Sequence, residues 1–192
     1  MLGIVIQARS GSTRLPNKMN LKFYEESSIL DILISRLKVT LPNTPVILAT
    51  TENKMDDVLV KRAQYHNIEV YRGSEDNVLN RFVGACQSYN LQQVVRVCAD
   101  NPFLDMASLK ELIKVFGSSN ADYMAFQTKD GTPSIKTHYG FWAEAVQLSA
   151  LEKVQELTND RFYLEHVTNY IYGNPKIFSI ELLEIPEYLN NT

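Results

Sequence analysis

The sequence predicts an α/β protein, a single-domain, three-layer α/β/α arrangement over residues 1–192 with a mostly parallel sheet. Short apolar runs alternate with amphipathic helical segments as far as about position 116, which indicates parallel strands joined by crossover helices. Polar, turn-forming loops directly follow three of these runs. The chain is also large enough for one full core, since 45% of its 192 residues are hydrophobic.

The first element is predicted as a strand buried on both faces, because the chain opens with an unbroken apolar run. A helix should begin after Ser28, which forms a capping-box pattern with Asp31 and precedes an apolar helical face. The next strands are predicted at 46–50, 68–71 and 94–98, and the next helices at 56–66, 78–89 and 108–116. The less regular remainder predicts strands at 122–126, 135–142 and 176–183, and helices at 144–156 and 159–172.

Composition excludes several classes of protein. The formal net charge of -3 argues against general nucleic-acid binding. The two cysteines, Cys86 and Cys98, lack metal-ligand spacing and are expected to be buried thiols in a reducing compartment. The opening apolar run is too short to span a bilayer and shows neither a basic leader nor a cleavage site. We therefore expect a cytoplasmic protein that binds neither membranes nor nucleic acid.

The loop at 7–18 combines small residues and hydroxyls with three cations, Arg9, Arg14 and Lys18. Backbone N–H groups at the end of a strand can approach an anion closely, and nearby cations add charge-assisted contacts to phosphate. The loop matches neither the P-loop pattern nor G-x-G-x-x-G, so it predicts a phosphate-binding loop of another type. The alternative is that the three cations only form weak surface ion pairs.

Two more polar loops, 72–77 and 99–105, follow strands and should face the same crevice, because ligands of open α/β sheets bind at the carboxyl ends of strands. Asp100 is either a Mg²⁺ ligand or a turn aspartate, and Asp105 is expected to cap the following helix. Gly73, Ser74 and Asp76 either contact a base or ribose or form a tight turn with a helix N-cap. His166 is interpreted as a packing histidine, with a catalytic base as the alternative.

Four segments, in the same order along the chain, resemble the signature of the cytidylyltransferase family, which includes the CMP-Kdo and CMP-sialic acid synthetases. They are Ile6–Lys18 (IQARSGSTRLPNK), Tyr71–Phe82 (YRGSEDNVLNRF), Arg96–Asp105 and Glu165–Thr168 (EHVT). Within that family the likeness is strongest to the branch of spore coat polysaccharide biosynthesis protein F. The resemblance implies a GT-A-like nucleotide-diphospho-sugar transferase fold.

The resemblance also implies a reaction and its residues. A sugar or sugar-acid hydroxyl would attack the α-phosphate of CTP with the help of Mg²⁺, releasing pyrophosphate, in surface polysaccharide biosynthesis. The catalytic residues would be Arg14 and Lys18, which hold the triphosphate, and Asp100, which binds the metal. The nucleotide-binding residues would be Gln7, Ala8 and Arg9 at the base and ribose, with Ser10, Gly11, Ser12, Gly73, Ser74, Asp76 and Asn77 lining the pocket. Relatives often form dimers, so a homodimer is expected.

The chain also departs from the family pattern. The stretch Ser134–Phe141 contains no carboxylate where relatives carry a second acidic motif, and Leu164 stands where the branch has arginine. The carboxy-terminal portion is shorter than in most relatives. These departures favour an alternative, a nucleotide-binding homologue with impaired or no transferase activity. A second alternative is a glycosyltransferase that uses a nucleotide-sugar donor, although Asp100-Asn101-Pro102 is not the Asp-x-Asp motif of such enzymes.

Overall fold

The central layer of the protein is a seven-stranded sheet. The computed structural model describes residues 1–11, 15, 18–137 and 139–189. In chain order the strands are β1 (Leu2–Gln7), β2 (Lys22–Tyr24), β3 (Ser27–Ser28), β4 (Val46–Thr51), β5 (Glu69–Gly73), β6 (Gln93–Cys98), β7 (Tyr123–Gln127), β8 (Glu144–Gln147) and β9 (Ile180–Glu184). The sheet has the order β5-β4-β1-β6-β8-β7-β9, and β2 and β3 form a separate hairpin.

Helices cover both faces of this sheet. They are α1 (Ile29–Thr40), α2 (Asp57–Tyr65), α3 (Val78–Ser88), α4 (Met106–Phe116), α5 (Leu148–Leu157), α6 (Arg161–Glu165) and α7 (Asn169–Gly173). The apolar sides of α1, α2 and α4 pack on one face, and those of α3, α5 and α7 on the other. The central strand β1 is covered on both sides, and Ile4, Val5 and Ile6 are fully buried. The predicted three-layer α/β/α fold is confirmed.

The first half of the chain follows the predicted alternation. Strands β4, β1 and β6 pair in parallel, β5 pairs in parallel with β4, and the carboxyl ends of all four therefore meet at one edge. The predicted capping box is present, because the Ser28 side chain accepts from the backbone N–H of Asp31 and the Asp31 carboxylate accepts from the N–H of Ser28. Asp105 caps α4 as expected, accepting from the N–H of Ser108 at 2.7 Å.

The second half differs from the prediction. The strand predicted at 135–142 is wrong: its described residues form a 3-10 turn at Ser134–Lys136 followed by irregular backbone, and His138 lies outside the described residues. The helix predicted from Glu144 starts only at Leu148, because Glu144–Gln147 pairs antiparallel with β6 as strand β8. The long helix predicted at 159–172 is two short helices, α6 and α7.

The last strand lies a few residues beyond its predicted position, at Ile180–Glu184, and pairs in parallel with β7. Among the described residues, no helix has both the length and the apolar character needed to cross a membrane.

Candidate active site

A cleft of about 380 Å³ opens where β1 and β6 end. The residues that line it come from the ends of these strands and from the loop after β1: Gln7, Ala8, Arg9, Gly11, Leu15, Lys18, Met19, Cys98, Ala99 and Asp100. Two backbone hydrogen bonds fix the strand ends, since Ala8 donates to Ala49 and Ala99 donates to Gln7. The structure therefore brings the first and third predicted loops to one crevice.

Lys18 and Asp100 meet in this cleft although 82 residues separate them. The Lys18 ammonium lies 2.5 Å from Oδ2 of Asp100, and the two side chains remain 32% and 44% exposed. An ion pair with this exposure contributes little to stability, because water screens it. Both charges remain within reach of a ligand, so the pair is better suited to binding than to holding the fold together.

Asp56 holds the start of the loop after β1 through a hydrogen bond to its backbone. This carboxylate is 1% exposed and accepts from the backbone N–H of Ser10 at 2.7 Å, while the Ser10 hydroxyl donates to the carbonyl of Met55. The second carboxylate oxygen, Oδ2, accepts from the Thr50 hydroxyl and from the N–H and hydroxyl of Thr51. Burial alone would raise the pKa of Asp56, but these hydrogen bonds outweigh it and hold the pKa below its ordinary value. Ser10 is consequently fixed before any ligand binds.

The other candidates of this loop differ in exposure. Ala8 is 4% exposed, whereas the Arg9 side chain is 40% exposed and lies 3.6 Å from the Glu165 carboxylate of α6. Gly11 faces the second predicted loop, because a Cβ atom added to it would lie 3.2 Å from Oε1 of Glu75. Two further candidates, Ser12 and Arg14, lie outside the described residues.

The loop at 73–77 forms a turn that caps a helix and does not line the cleft. The Asn77 side chain accepts from the N–H of Asn80 and so caps α3, and the Ser74 hydroxyl accepts from the N–H of Asn77. Asp76 is exposed. The turn and the helix N-cap are therefore present, and nucleotide contact by Gly73, Ser74, Asp76 and Asn77 stays a prediction.

Arg81 supports that turn from inside the protein. It is 1% exposed and donates from Nη1 to the carbonyl of Ser74 at 2.6 Å. Its Nε and Nη2 atoms have no hydrogen-bond partner among the described residues. Burial and the nearby Arg9 lower its pKa. In the sequence, Arg81 stands on the same helical face as the apolar residues Val78 and Phe82, and this position indicates a buried arginine.

Two arginines of the helical layer hold the loops that carry Lys18 and Asp100. Arg36 of α1 donates to the carbonyls of Pro102 and Leu104 at 2.6 and 2.9 Å. Arg62 of α2 donates to the side chain and the carbonyl of Asn20, the last residue of the turn that begins at Lys18. No local sequence pattern marks either arginine, since these contacts span more than 40 residues.

A second, smaller pocket of about 200 Å³ shares Cys98 and Asp100 with the cleft. Its other lining residues come mostly from the segment wrongly predicted as a strand: Asn101, Ser134, Ile135, Thr137, Tyr139, Gly140, Trp142 and Glu144. Backbone contact joins this segment to the Asp100 loop, because Asp105 donates to the carbonyl of Phe141 at 2.7 Å. Aromatic faces beside hydroxyl and amide groups suit a polyhydroxylated molecule.

Glu144 is the carboxylate nearest in sequence to the stretch in which the acidic motif is missing, but it is already bound. It pairs with Arg96 at 2.5 Å and accepts from the hydroxyls of Tyr123 and Thr168. Burial and the adjacent Glu144 raise the pKa of Tyr123, so the phenol keeps its proton and acts as the donor. Glu144 therefore serves a buried network on the sheet.

Two of the histidines lie in side-chain clusters away from the cleft. His166 is exposed at the end of α6 and packs against the Phe162 ring, so its packing contact lies at the surface. His66, which has no supporting pattern in the sequence, lies 2.9 Å from Asp31 in a cluster with Arg62. Both clusters lie outside the cleft. The expected homodimer stays a prediction.

The carboxylate oxygens of the cleft decide whether it could bind Mg²⁺. Within the described ranges, no group of three His, Cys, Asp or Glu side chains is close enough to hold a metal ion. Mg²⁺, however, is commonly bound by one or two carboxylates with substrate phosphates supplying further oxygens. Asp100, accessible beside the cationic Lys18, fits that mode of binding with a single carboxylate.

Comparison with known proteins identifies the family. A family model described as cytidylyltransferase matches residues 3–191. The spore coat polysaccharide biosynthesis protein SpsF of Bacillus subtilis is 32% identical over 190 residues, which cover 95% of this chain and 75% of that protein.

Solved structures agree with this assignment. A cytidylyltransferase from Leptospira borgpetersenii superposes with a TM-score of 0.86 at 28% identity, covering 100% of this chain and 78% of that one. CMP:2-keto-3-deoxy-manno-octonic acid synthetase, solved with CTP, gives a TM-score of 0.72 at 14% identity over 96% and 89% of the two chains, which shows the shared fold. From its fold, its cleft and these matches, the chain belongs to the cytidylyltransferase family.

Proposed function

We propose that the protein transfers CMP from CTP to a hydroxyl group of a sugar or sugar acid and releases pyrophosphate. The observation that carries this proposal is the meeting of Lys18 and Asp100 at the ends of β1 and β6. This pair places a cation for phosphate beside a carboxylate for a divalent metal. Membership of the cytidylyltransferase family supports CTP as the nucleotide.

The proposed reaction needs positioning and charge neutralisation more than a covalent residue. The acceptor oxygen forms a bond to the α-phosphorus, its hydroxyl proton passes to solvent, and the bond from that phosphorus to the oxygen bridging to the β-phosphate breaks. Lys18, and by the family resemblance Arg14, would stabilise the charge that accumulates on the leaving pyrophosphate. Because Asp56 fixes Ser10 in advance, the backbone at Ser10 needs little rearrangement at the moment of reaction.

Asp100 would hold Mg²⁺ together with the phosphates of the substrate. The ion supplies Lewis-acid polarisation of the phosphoryl oxygens when it is bound. Arg36 then has an indirect role, since its hydrogen bonds to Pro102 and Leu104 set the path of the loop in which Asp100 lies.

The acceptor is proposed to occupy the smaller pocket beside Asp100. Tyr139 and Trp142 offer aromatic faces there, while Asn101 and Thr137 offer polar groups for hydroxyls. The name of the Bacillus subtilis relative supports a role in surface polysaccharide synthesis.

A nucleotide-binding homologue without transferase activity is the second candidate. One observation favours it: Glu144, the carboxylate that follows the stretch without acidic residues, is engaged by Arg96, Tyr123 and Thr168. The two candidates predict the same nucleotide binding and different turnover.

The test is pyrophosphate release from CTP and Mg²⁺ with a panel of sugars and sugar acids, alongside calorimetric binding of CTP. We expect release with at least one acceptor and its loss in Asp100→Asn, which keeps the size of the side chain and removes its charge. Binding of CTP without pyrophosphate release from any acceptor would favour the second candidate. Failure to bind CTP would refute both.

A further inference from the structure

A row of polar side chains crosses four adjacent strands of the sheet, β1, β6, β8 and β7. We define this polar row as Gln7, Arg96, Glu144 and Tyr123. Arg96 donates from Nε to Oε1 of Gln7 at 3.2 Å and from Nη1 to Glu144 at 2.5 Å, and the Tyr123 hydroxyl donates to Glu144. From outside the sheet, the Thr168 hydroxyl donates to Glu144 at 3.0 Å.

The polar row is deeply buried. The side chains of Arg96 and Glu144 are 11% and 4% exposed, and Tyr123 is fully buried. The same face of the sheet is otherwise apolar, as at Val94 and Val146. Desolvating an ion pair offsets most of its attraction, and well-packed apolar residues would stabilise such a layer equally well. Stability alone therefore does not account for the row.

The member of the row that reaches the nucleotide cleft is Gln7. A guanidinium group only donates hydrogen bonds, so the Gln7 atom that faces Arg96 must be the amide oxygen. The amide nitrogen then points away from Arg96, and no group in the described part of the chain accepts from it. The row consequently leaves the Gln7 amide nitrogen, a hydrogen-bond donor, without an acceptor among the described residues, on a side chain that lines the cleft.

We propose that Arg96 and Glu144 are positioning residues that hold the Gln7 amide nitrogen toward N3 of the nucleotide base, and that this contact selects cytosine over uracil. The inference rests on the proposed function, which places a cytidine nucleotide in the cleft. N3 of cytosine is a hydrogen-bond acceptor, whereas N3 of uracil carries a proton and is a donor. A fixed donor therefore pairs with cytosine and opposes uracil, and sites built in this way discriminate strongly.

The orientation of the amide is the critical feature. If Gln7 were free to rotate by half a turn about its last bond, its oxygen would accept from N3–H of uracil equally well. Arg96 prevents that rotation, because the turned amide would bring two donors together. Glu144 in turn fixes Arg96 through the hydrogen bond to Nη1.

The experiment measures the ratio of Kd for UTP to Kd for CTP by calorimetry with Mg²⁺ and without an acceptor. The main variant is Arg96→Met combined with Glu144→Gln, which removes both charges together and leaves no buried charge unpaired. We expect CTP binding to be retained and the preference for CTP to fall about tenfold, as for the loss of one oriented hydrogen bond. Phe116→Leu, a core change on the opposite face of the sheet, is the control and should leave the ratio unchanged.

A second variant, Gln7→Glu, keeps the shape of the side chain and the contact with Arg96 but presents an acceptor to the ligand. It should lower the ratio of Kd for UTP to Kd for CTP further, toward a preference for UTP. If the double variant does not fold, Gln7→Glu alone tests the inference. Wild-type binding of CTP with no preference over UTP, or an unchanged ratio in both variants, would overturn the inference and leave the proposed function standing. Absence of CTP binding by the wild-type protein would refute the proposed function itself.

Discussion

Replacing Asp56 tests how the loop after β1 is held. Four groups donate to its buried carboxylate: the Ser10 N–H at 2.7 Å, the Thr50 hydroxyl at 2.9 Å, and the N–H and hydroxyl of Thr51 at 3.1 and 2.5 Å. Asp56→Ala removes all four acceptor contacts. Asp56→Asn is the matched variant, because its amide oxygen can still accept from Ser10 while its NH₂ group faces the two threonines.

The loss of free energy of unfolding follows from the number of donors that lose their acceptor. A hydrogen bond to a charged group contributes about 1.5–3 kcal/mol, and the hydroxyls can find other partners whereas the two buried N–H groups cannot. We expect Asp56→Ala to lower the free energy of unfolding by about 3–4 kcal/mol and Asp56→Asn by about 1–2 kcal/mol. Since only the alanine variant releases Ser10, only that variant should weaken CTP binding markedly.

The pH dependence supplies an independent check on the same carboxylate. Its folded pKa lies below the ordinary value of 3.8, so the ionised group stabilises the fold fully above that value, and this stabilisation is lost as the pH falls through the folded pKa. Urea unfolding should therefore give a constant difference between wild type and Asp56→Asn at neutral pH, and a shrinking difference below about pH 4. Equal CTP affinities in the alanine and asparagine variants, or a difference independent of pH, would refute the proposed anchoring of Ser10.

Three further predictions concern other parts of the chain. Lys18→Met should weaken CTP binding about tenfold or more in calorimetry by removing a charged phosphate contact, whereas an unchanged Kd would exclude Lys18 from the triphosphate site. Gly84→Ala should destabilise the fold by about 1–3 kcal/mol in thermal unfolding, because the new Cβ would lie 2.0 Å from the Tyr71 hydroxyl, and adding Tyr71→Leu should restore part of the loss. Cys86 is fully buried and its pKa is raised to about 12, so iodoacetamide at neutral pH should label it only after unfolding, as mass spectrometry would show.

The first half of the fold could be predicted because its signals are local. The apolar run of β1 and the capping box at Ser28 each lie within a few residues of the element they define. The carboxyl ends of parallel strands then place Lys18 and Asp100 at one edge of the sheet without any knowledge of the contact itself. The position of the loops and the charges on them were sufficient to predict that Lys18 and Asp100 lie in one cleft.

The second half could not be predicted in the same way. Ile135, Thr137 and Tyr139 alternate as they would in a strand, but in the structure this segment turns after Pro133, and its aromatic residues pack mainly against one another. Glu144 begins a strand although its sequence favours a helix, because pairing with β6 sets it opposite Arg96. That pairing depends on a register between distant segments, which no local pattern specifies.

The contacts of Arg36 and Arg62 have a consequence for protein engineering. Both arginines belong to helices on one face of the sheet, yet they hold the backbone of the loops that carry Asp100 and Lys18. Each uses two nitrogens of a planar fork, a geometry that lysine cannot reproduce. A stabilising design that exchanges arginine for lysine on the helix surfaces would preserve charge and solubility while shifting the two loops against each other. These two positions should be treated as part of the cleft whenever the helical surface of this protein is redesigned.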